Sequence, residues 1–299
     1  MKLRVWGARG STPTPEPANV RYGGNTTCVE LRLANGTLLI FDCGSGLRGL
    51  GKSLAAEFGA EPVVGYIFLT HFHWDHIQGI PFFTPLYKKG NAFFFHSVSL
   101  KAVELQGAVE GQMVSPYFPV NMSIMGAVRN FYDIGRDSVD IHGAVLCSTE
   151  LYHPQGCVAY RVEADGGILV FATDHEHGSA VHDANVRRIA RGADVFIYDA
   201  QYTPDEYDRE KKGWGHSTWA EGVRIAQEAG VRQLVLCHHD PDRDDRMIDR
   251  IVREARKQFP NTVAASEGLV LDIPPRARRL PSRPRSKRSP PRQRKRSVR

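Results

Sequence analysis

Residues 67–76 read IFLTHFHWDH, an apolar run that leads into three histidines and one aspartate within six positions. In an extended chain, residues two apart point to the same side, so His71 and His73 can share one target. If a helix begins directly after them, Asp75 and His76 project together toward a neighbouring point. Imidazole and carboxylate groups are preferred ligands of Zn²⁺ and similar ions. The spacing therefore predicts two metal centres rather than one.

Four more short apolar runs end in a residue that can bind a metal or move a proton. They are TLLIFD (37–42), GILVFATD (167–174), DVFIYD (194–199) and LVLCH (234–238). Runs of this length, rich in β-branched and aromatic residues, are typical of buried strands. We expect the strand ends to meet at one cleft, which would gather Asp42, Asp174, Asp199 and His238 beside the histidine-rich stretch.

Helical patterns lie between these runs. Thr218 and Glu221 have the spacing of a capping box, and Gly230 fits the end of the helix that follows. Between positions 242 and 259 one helical face is apolar and carries Ile248, Ile251, Val252, Ala255 and Phe259. The alternation of strands and helices predicts a layered α/β fold.

The length and composition of the chain indicate how many domains it forms and in which compartment it is expected. With 299 residues, 41% of them apolar, the chain can bury a large core, and we expect one domain over residues 1–274. Within it, the aromatic and proline-rich residues 80–132 are interpreted as a hairpin or lid near the cleft, with ordinary packing of a peripheral subdomain as the alternative. Five cysteines without a CxxC pair, no signal peptide and no apolar run of about 18 residues indicate a soluble cytoplasmic protein without a membrane span.

The positive charge is concentrated at the C-terminal end. The whole chain has a net charge of +6. Residues 276–299 contain 12 Lys or Arg and no Asp or Glu, so the remaining residues have a net charge of −6. Residues 275–299 are predicted to form a basic disordered tail, because they have too few apolar side chains to build a core. Such a tail can bind nucleic acid electrostatically, or it can act only in solubility.

The HxHxDH motif after an apolar strand resembles that of the metallo-β-lactamase superfamily, and the resemblance covers residues 1–272. It implies an αββα sandwich with a dinuclear metal site at one edge. It also implies seven metal ligands, one of them a bridging aspartate: His71, His73, Asp75, His76, His153, Asp174 (bridging) and His238. Asp42 matches a residue that orients the metal ligands without binding the metal itself.

Some neighbouring histidines compete with these assignments. His239 could replace His238, but if Cys237 and His238 close a buried strand, His238 lies at its tip and faces the cleft while His239 points away, which favours His238. His175 and His177 flank Asp174 and are interpreted as loop histidines near a charged site rather than as ligands.

Two further stretches resemble ribonuclease Z-like proteins: IYDAQYT (197–203), with Asp199 in the acidic position, and GHST (215–218), with His216. The resemblance implies a phosphodiesterase with three catalytic residues. His216 would stabilise the transition state or protonate the leaving alkoxide, Asp199 would orient His216, and Asp75 would orient the attacking group besides binding metal. Ribonuclease Z enzymes carry a long glycine- and proline-rich arm that grips transfer RNA, and the 21 positions from His153 to Asp174 leave no room for it. In this respect the chain is more similar to the compact phosphodiesterases of the superfamily, including the cyclic phosphodiesterase of phosphonate metabolism.

We therefore expect a hydrolase with two divalent metal ions, Zn²⁺ or Mn²⁺ with Fe as a further candidate, that acts on a cyclic nucleotide or another small phosphodiester. A thioesterase, lactonase or β-lactamase-like hydrolase of the same fold is the nearest alternative. An alternative of another class is a nucleic-acid-binding protein that uses the basic tail and whose metal site is structural. A homodimer is a further expectation, because dimers are common among similar proteins.

Overall fold

The computed structural model describes residues 1–98, 100–135 and 138–275, and the basic tail from residue 276 onward lies outside them. Within these ranges the chain forms two sheets of seven strands each. The first sheet contains β1 (Lys2–Gly7), β2 (Cys28–Arg32), β3 (Leu38–Phe41), β4 (Val64–Phe68), β5 (Ala92–Ser97) and β6 (Val128–Asp133). The second contains β7 (Val139–Ile141), β8 (Ala144–Leu151), β9 (Cys157–Ala164), β10 (Gly167–Ala172), β11 (Val195–Asp199), β12 (Gln233–Cys237) and β13 (Thr262–Ala264). The last strand, β14 (Val270–Asp272), returns to the first sheet beside β1.

Helices connect the strands and cover the outer faces. In the described ranges they are α1 (Leu47–Phe58), α2 (Trp74–Ile77), α3 (Ala102–Glu110), α4 (Ala180–Ala190), α5 (Pro204–Glu206), α6 (Trp219–Ala229) and α7 (Asp245–Gln258). The short α5 continues directly as a π-helix over Tyr207–Lys211. None of these helices is long and apolar enough to cross a membrane.

The two sheets share one pairing pattern. The first runs in the order β14-β1-β2-β3-β4-β5-β6 and the second in the order β13-β12-β11-β10-β9-β8-β7. Strands β3 to β6 pair in parallel, as do β10 to β13, whereas the remaining neighbours are antiparallel. The carboxyl ends of parallel strands lie at the same edge of a sheet, so the residues that follow β3, β4, β10, β11 and β12 can meet there.

Three apolar layers hold the sandwich together. Successive side chains of a strand point to opposite faces, so Leu39 and Phe41 of β3 lie between the sheets while Leu38 and Ile40 pack with the buried side of α1. Strand β11 alternates in the same way between the central layer and the outer layer that contains α4, α6 and α7. The arrangement of helix, sheet, sheet and helix confirms the predicted αββα fold.

The two predicted helices form at the expected places. Helix α6 begins after Thr218, whose hydroxyl accepts the backbone N–H of Glu221 at 3.2 Å, and ends at Gly230 in the left-handed conformation with φ 65°. Helix α7 begins after Asp244, whose side chain accepts the N–H of Met247 at 2.7 Å. Its buried face carries Ile248, Ile251, Val252 and Ala255.

The hairpin interpretation of residues 80–132 was wrong. The two strands of this segment, β5 and β6, pair in parallel and complete the first sheet. They are joined through α3, which packs on β6, and a parallel pair requires such a crossover because a tight turn can join only antiparallel strands. Phe83, Phe93 and Phe95 are buried in the outer layer beneath α1 and α3. A lid function for the segment stays a prediction.

Candidate metal and catalytic site

The polar residues at the strand ends meet at one edge of the sandwich, and their backbone explains how. Asp42 directly follows β3 and His238 directly follows β12, whereas Thr173 separates Asp174 from the end of β10. All three adopt left-handed backbone conformations, with φ of 57°, 58° and 58°. This turn takes the chain out of the strand direction at once, so the side chains project over the sheet edge. Strand β4 ends at Phe68, earlier than the apolar run suggests, and a short segment with a bend at Thr70 carries the chain on to His71.

Three histidines form the first cluster: His71, His73 and His153. Each has one ring nitrogen held by the protein. The His71 Nδ1–H donates to Thr70 Oγ1 at 3.0 Å, the His73 Nε2–H donates to Gln155 Oε1 at 2.9 Å, and the His153 Nδ1–H donates to the Gly215 carbonyl at 2.7 Å. The opposite nitrogens, His71 Nε2, His73 Nδ1 and His153 Nε2, are thereby left as lone-pair donors. Hydrogen bonds of this kind fix the tautomer of histidines that bind metals.

Two histidines and two aspartates form the second cluster: Asp75, His76, Asp174 and His238. The His76 Nδ1–H donates to Asp42 Oδ2 at 2.8 Å, and the His238 Nδ1–H donates to Gln201 Oε1 at 2.9 Å. Their Nε2 atoms lie 3.2 to 3.3 Å from Asp75 Oδ2 and Asp174 Oδ1. The backbone N–H of Ser11 donates to Asp75 Oδ2 at 2.8 Å and holds that carboxylate in place.

Asp174 connects the two clusters. Its Oδ1 lies within 3.3 Å of His76 Nε2 and His238 Nε2, while its Oδ2 lies 3.6 Å from both His71 Nε2 and His153 Nε2. Burial on its own raises the pKa of Asp174, but the surrounding histidines outweigh it and hold this pKa well below its usual range. The side chain is therefore a carboxylate with one oxygen for each cluster.

The donor set fits a divalent metal site. His71 Nε2 is buried without a hydrogen-bond partner, although buried polar atoms are nearly always partnered. His76 Nε2 also lacks a well-aligned hydrogen bond, even though two carboxylate oxygens lie 3.2 and 3.3 Å from it. Neutral imidazoles with a fixed tautomer and ionised carboxylates are the ligands that Zn²⁺, Mn²⁺ and Fe²⁺ accept. A bound cation would accept the lone pairs of these ring nitrogens. The clustered His and Asp residues therefore indicate a divalent metal site.

His216 and Asp199 lie against the second cluster. The His216 Nδ1–H donates to Asp199 Oδ2 at 2.9 Å, which leaves Nε2 as the ring nitrogen for a substrate. Asp199 Oδ1 accepts the backbone N–H groups of Gln201 and Ser217 at 3.1 and 3.3 Å, so the carboxylate is fixed as well. The His216 ring stacks on His238 with centroids 4.8 Å apart. A histidine oriented by a buried carboxylate beside clustered metal donors is arranged for proton transfer.

The structure places every predicted site residue at this edge, whereas the competing histidines belong to neither cluster. His239 lies outside both clusters, because its Nε2–H donates to the Ala265 carbonyl at 2.9 Å, and burial lowers its pKa to about 3. His175 lies 3.3 Å from Asp183, and His177 contacts Ser217.

Several partners of the clusters are absent from the sequence-based prediction. Thr70, Gln155 and Gln201 each hold one ring nitrogen of a clustered histidine. Thr70 and Gln155 stand one and two positions from a predicted ligand, but no spacing rule distinguishes them from other polar neighbours. Gln201 lies 37 positions from His238, so only the folded chain shows the contact.

The segment between the third histidine and the bridging aspartate is short. After residues 153–156, strands β9 and β10 pair antiparallel across a tight turn at Asp165 and Gly166. No additional element is inserted between His153 and Asp174, all of whose intervening residues are described.

Comparisons with known proteins agree with this arrangement. The family model described as Beta-lactamase superfamily domain matches residues 37–239. Ribonuclease Z of Bacteroides fragilis is 39% identical over 331 aligned positions, which cover 91% of this chain and 99% of the relative. Because 331 exceeds the 299 residues of this chain, the relative contains residues that have no counterpart here.

Solved structures show the same fold. The metallo-β-lactamase fold protein YhfI from Bacillus subtilis superposes with a TM-score of 0.67 at 19% identity and covers 90% of this chain and 98% of its own. The short form of human tRNase Z superposes with a TM-score of 0.62 at 20% identity, over 92% of this chain and all of its own. With the strand-end clusters, the HxHxDH motif and the matches over most of the sequence, the chain belongs to the metallo-β-lactamase superfamily, in its ribonuclease Z-like branch, and is a metal-dependent phosphodiester hydrolase.

Proposed function

We propose that this protein hydrolyses a small phosphodiester, such as a cyclic nucleotide, with two divalent cations held by the two clusters. His71, His73 and His153 would hold one cation, and Asp75, His76 and His238 would hold the other, with Asp174 placed between the two clusters. The observation that carries the proposal is the pair of His216 and Asp199 beside the second cluster, with Nδ1 to Oδ2 at 2.9 Å. Metal binding alone does not require this pair.

When bound, the cations supply an acidified water and positive charge opposite the phosphoryl oxygens. The residues of the chain position the other partners. Asp75, held by the Ser11 N–H, orients the attacking group from the side of the second cluster. His216 uses Nε2 to donate a proton to the leaving alkoxide or a hydrogen bond to an equatorial oxygen, and Asp199 stabilises the imidazolium that proton transfer requires.

The hairpin between β9 and β10 supports a small substrate. The turn at Asp165 and Gly166 leaves no arm between His153 and Asp174 that could grip the body of a transfer RNA.

Exposed aromatic side chains next to site residues favour a substrate that contains a base. Trp74 precedes Asp75 and is 71% exposed, and Trp214 precedes Gly215 and His216 and is 58% exposed. Lys211 Nζ lies 4.1 Å from the Trp214 ring centroid, which adds a positive charge beside the aromatic face. Aromatic faces with nearby cations are suited to stacking a nucleobase and meeting its phosphate.

An RNA end is the second candidate substrate. It is favoured by the 39% identity to a ribonuclease Z over nearly the whole of both chains. The basic residues of the tail, which lie outside the described ranges, would supply electrostatic affinity for RNA.

The proposal is tested with purified protein loaded separately with Zn²⁺ and Mn²⁺. We expect hydrolysis of bis(p-nitrophenyl) phosphate and of 2′,3′-cyclic nucleotides that is abolished by chelation. An RNA with a 3′ extension is the parallel substrate, assayed with the full chain and with residues 276–299 removed. Cleavage of the RNA without turnover of cyclic nucleotides would overturn the small-substrate assignment, and hydrolysis of a thioester or lactone alone would overturn the phosphodiesterase assignment.

A further inference from the structure

A buried carboxylate outside the two clusters holds the backbone that carries His216. Glu176 is 5% exposed and follows Asp174 by two residues. Its Oε1 accepts the backbone N–H of Gly213 at 2.6 Å and the Tyr207 hydroxyl at 3.1 Å. Its Oε2 accepts the backbone N–H of Gly215 at 2.7 Å. Both oxygens of one side chain are thus used to hold residues 213–216, named here the 213–216 loop.

The 213–216 loop reaches the site at two points. The Gly215 carbonyl accepts the Nδ1–H of His153 at 2.7 Å and so sets the tautomer that leaves His153 Nε2 for a cation. His216 follows directly and bonds to Asp199. Gly215 has a φ of +85°, and a Cβ there would lie 2.6 Å from His153 Nδ1, so the loop backbone is in close contact with the His153 ring.

We propose that Glu176 is a positioning residue for the reaction, which fixes the tautomer and placement of His153 and the placement of His216 through the 213–216 loop. The inference rests on the proposed function for its link to turnover, but its link to metal binding is independent of the substrate.

The chemistry of the contacts explains why a carboxylate is needed here. The two glycine N–H groups that face Glu176 can only donate, and a carboxylate has two acceptor oxygens for them. The Tyr207 hydroxyl lies 3.1 Å from Oε1 and 2.9 Å from the His177 carbonyl oxygen, so its single proton is shared between two acceptors. A glutamine of the same shape has one acceptor oxygen and one NH₂ group. In either orientation its NH₂ would face one of the two glycine N–H groups, which would then lose its acceptor in Glu176. We therefore expect the 213–216 loop to shift in E176Q while the rest of the fold is retained.

The test compares full-length wild type, E176Q and Y207F. The Y207F variant removes one of the three donors but keeps both glycine contacts, so it is the matched control. Zn²⁺ affinity is measured by competition with a chromogenic chelator, kcat and KM with bis(p-nitrophenyl) phosphate, and Tm on chelated protein. For E176Q we expect Zn²⁺ affinity weakened about tenfold or more, as for other residues that orient metal ligands. We also expect kcat lowered at least as much as affinity, and KM and Tm close to wild type. Y207F should stay within about twofold of wild type in affinity and kcat.

Wild-type Zn²⁺ affinity and kcat in E176Q would overturn the proposal, as would equal losses in E176Q and Y207F. Absence of turnover in the wild type would count against the proposed function, while the affinity comparison would still decide the role of Glu176. If E176Q does not fold, amide hydrogen exchange of the wild type decides instead. The Gly213 and Gly215 amides should exchange at least about 100-fold more slowly than that of the exposed Gly90, and equal exchange would overturn the anchoring role.

Discussion

At the scale of single residues, the site is defined by which ring nitrogen each histidine keeps for a metal. His73 offers Nδ1, whereas His71, His153, His76 and His238 offer Nε2. In each case the choice of nitrogen is set by the residue that accepts a hydrogen bond from the ring. The ring nitrogen that donates this bond keeps its proton, and the other nitrogen keeps its lone pair. The partners are therefore as necessary to the clusters as the histidines themselves.

Removal of the proposed proton donor tests its role directly. In His216→Ala we expect kcat for bis(p-nitrophenyl) phosphate to fall by about 10² to 10⁴, the usual contribution of a general acid or base, with metal content unchanged. Metal is measured by elemental analysis of the same samples. His182→Ala, a histidine outside both clusters, is the control and should keep full activity. Full activity in His216→Ala would show that the pair with Asp199 has another function.

Removal of a residue that accepts a hydrogen bond from a clustered histidine tests whether such a contact sets the tautomer of the ring. In Gln155→Ala the His73 Nε2–H loses its acceptor, so Nδ1 is no longer kept free for a cation. We expect metal affinity to fall by about 10- to 100-fold, as for comparable partners of metal ligands. Chelator competition measures the change, with Gln106→Ala on the exposed side of α3 as the control. Equal affinity in the two variants would contradict the assignment.

At the scale of elements, the ends of the parallel strands are where the site could be predicted from sequence. A run such as GILVFATD ends in Asp174, and five runs with such endings indicate a common edge. The motif at 71–76 then adds the connection between β4 and α2. What the sequence leaves open is set by tertiary contacts. Gln201 meets His238 only because β11 and β12 are neighbours, and β5 and β6 pair in parallel only because α3 connects them.

The segment that follows α5 is expected to influence substrate choice. Lys211 ends the π-helix, and Trp214 lies in the 213–216 loop directly before Gly215, whose carbonyl contacts His153. In Trp214→Ala we expect KM for a cyclic nucleotide to rise about tenfold, since stacking of one base contributes about 1 to 3 kcal/mol. KM for a phosphodiester without a ring should not change. Tyr132→Ala, on β6 at the edge of the first sheet, is the control, and a similar KM rise for both substrates would rule out stacking.

At the scale of the whole molecule, the clusters join the two sheets. His71, His73, Asp75 and His76 follow β4 of the first sheet, whereas His153, Asp174 and His238 come from the second. A cation between them adds a bond between layers that the central apolar residues already hold together. We therefore expect metal binding and folding to be coupled.

This coupling predicts a thermal shift. A cation present at 1,000 times its dissociation constant adds about 4 kcal/mol to the free energy of unfolding. With an unfolding entropy of about 2.1 cal/mol/K per residue over roughly 275 residues, this corresponds to roughly 7 °C in Tm. We expect chelation to lower Tm by that amount and Zn²⁺ to restore it, as measured by calorimetry. His71→Ala should show a smaller response to both treatments. An unchanged Tm after verified metal removal would mean that the clusters contribute nothing to holding the sheets together.

The left-handed backbone at Asp42, Asp174 and His238 lowers the stability of the fold in exchange for the side chains that the site needs. A side chain in this conformation is disfavoured by about 1 kcal/mol or more relative to glycine, which adopts it freely. Asp174→Gly should therefore give a metal-free protein with a higher Tm than Asp174→Ala, and both should lack turnover. Calorimetry of the two chelated variants measures the difference, and a lower Tm for the glycine variant would contradict it. Selection for stability alone would favour glycine at these three positions. A homologue that keeps an aspartate or histidine there is therefore expected to depend on catalysis.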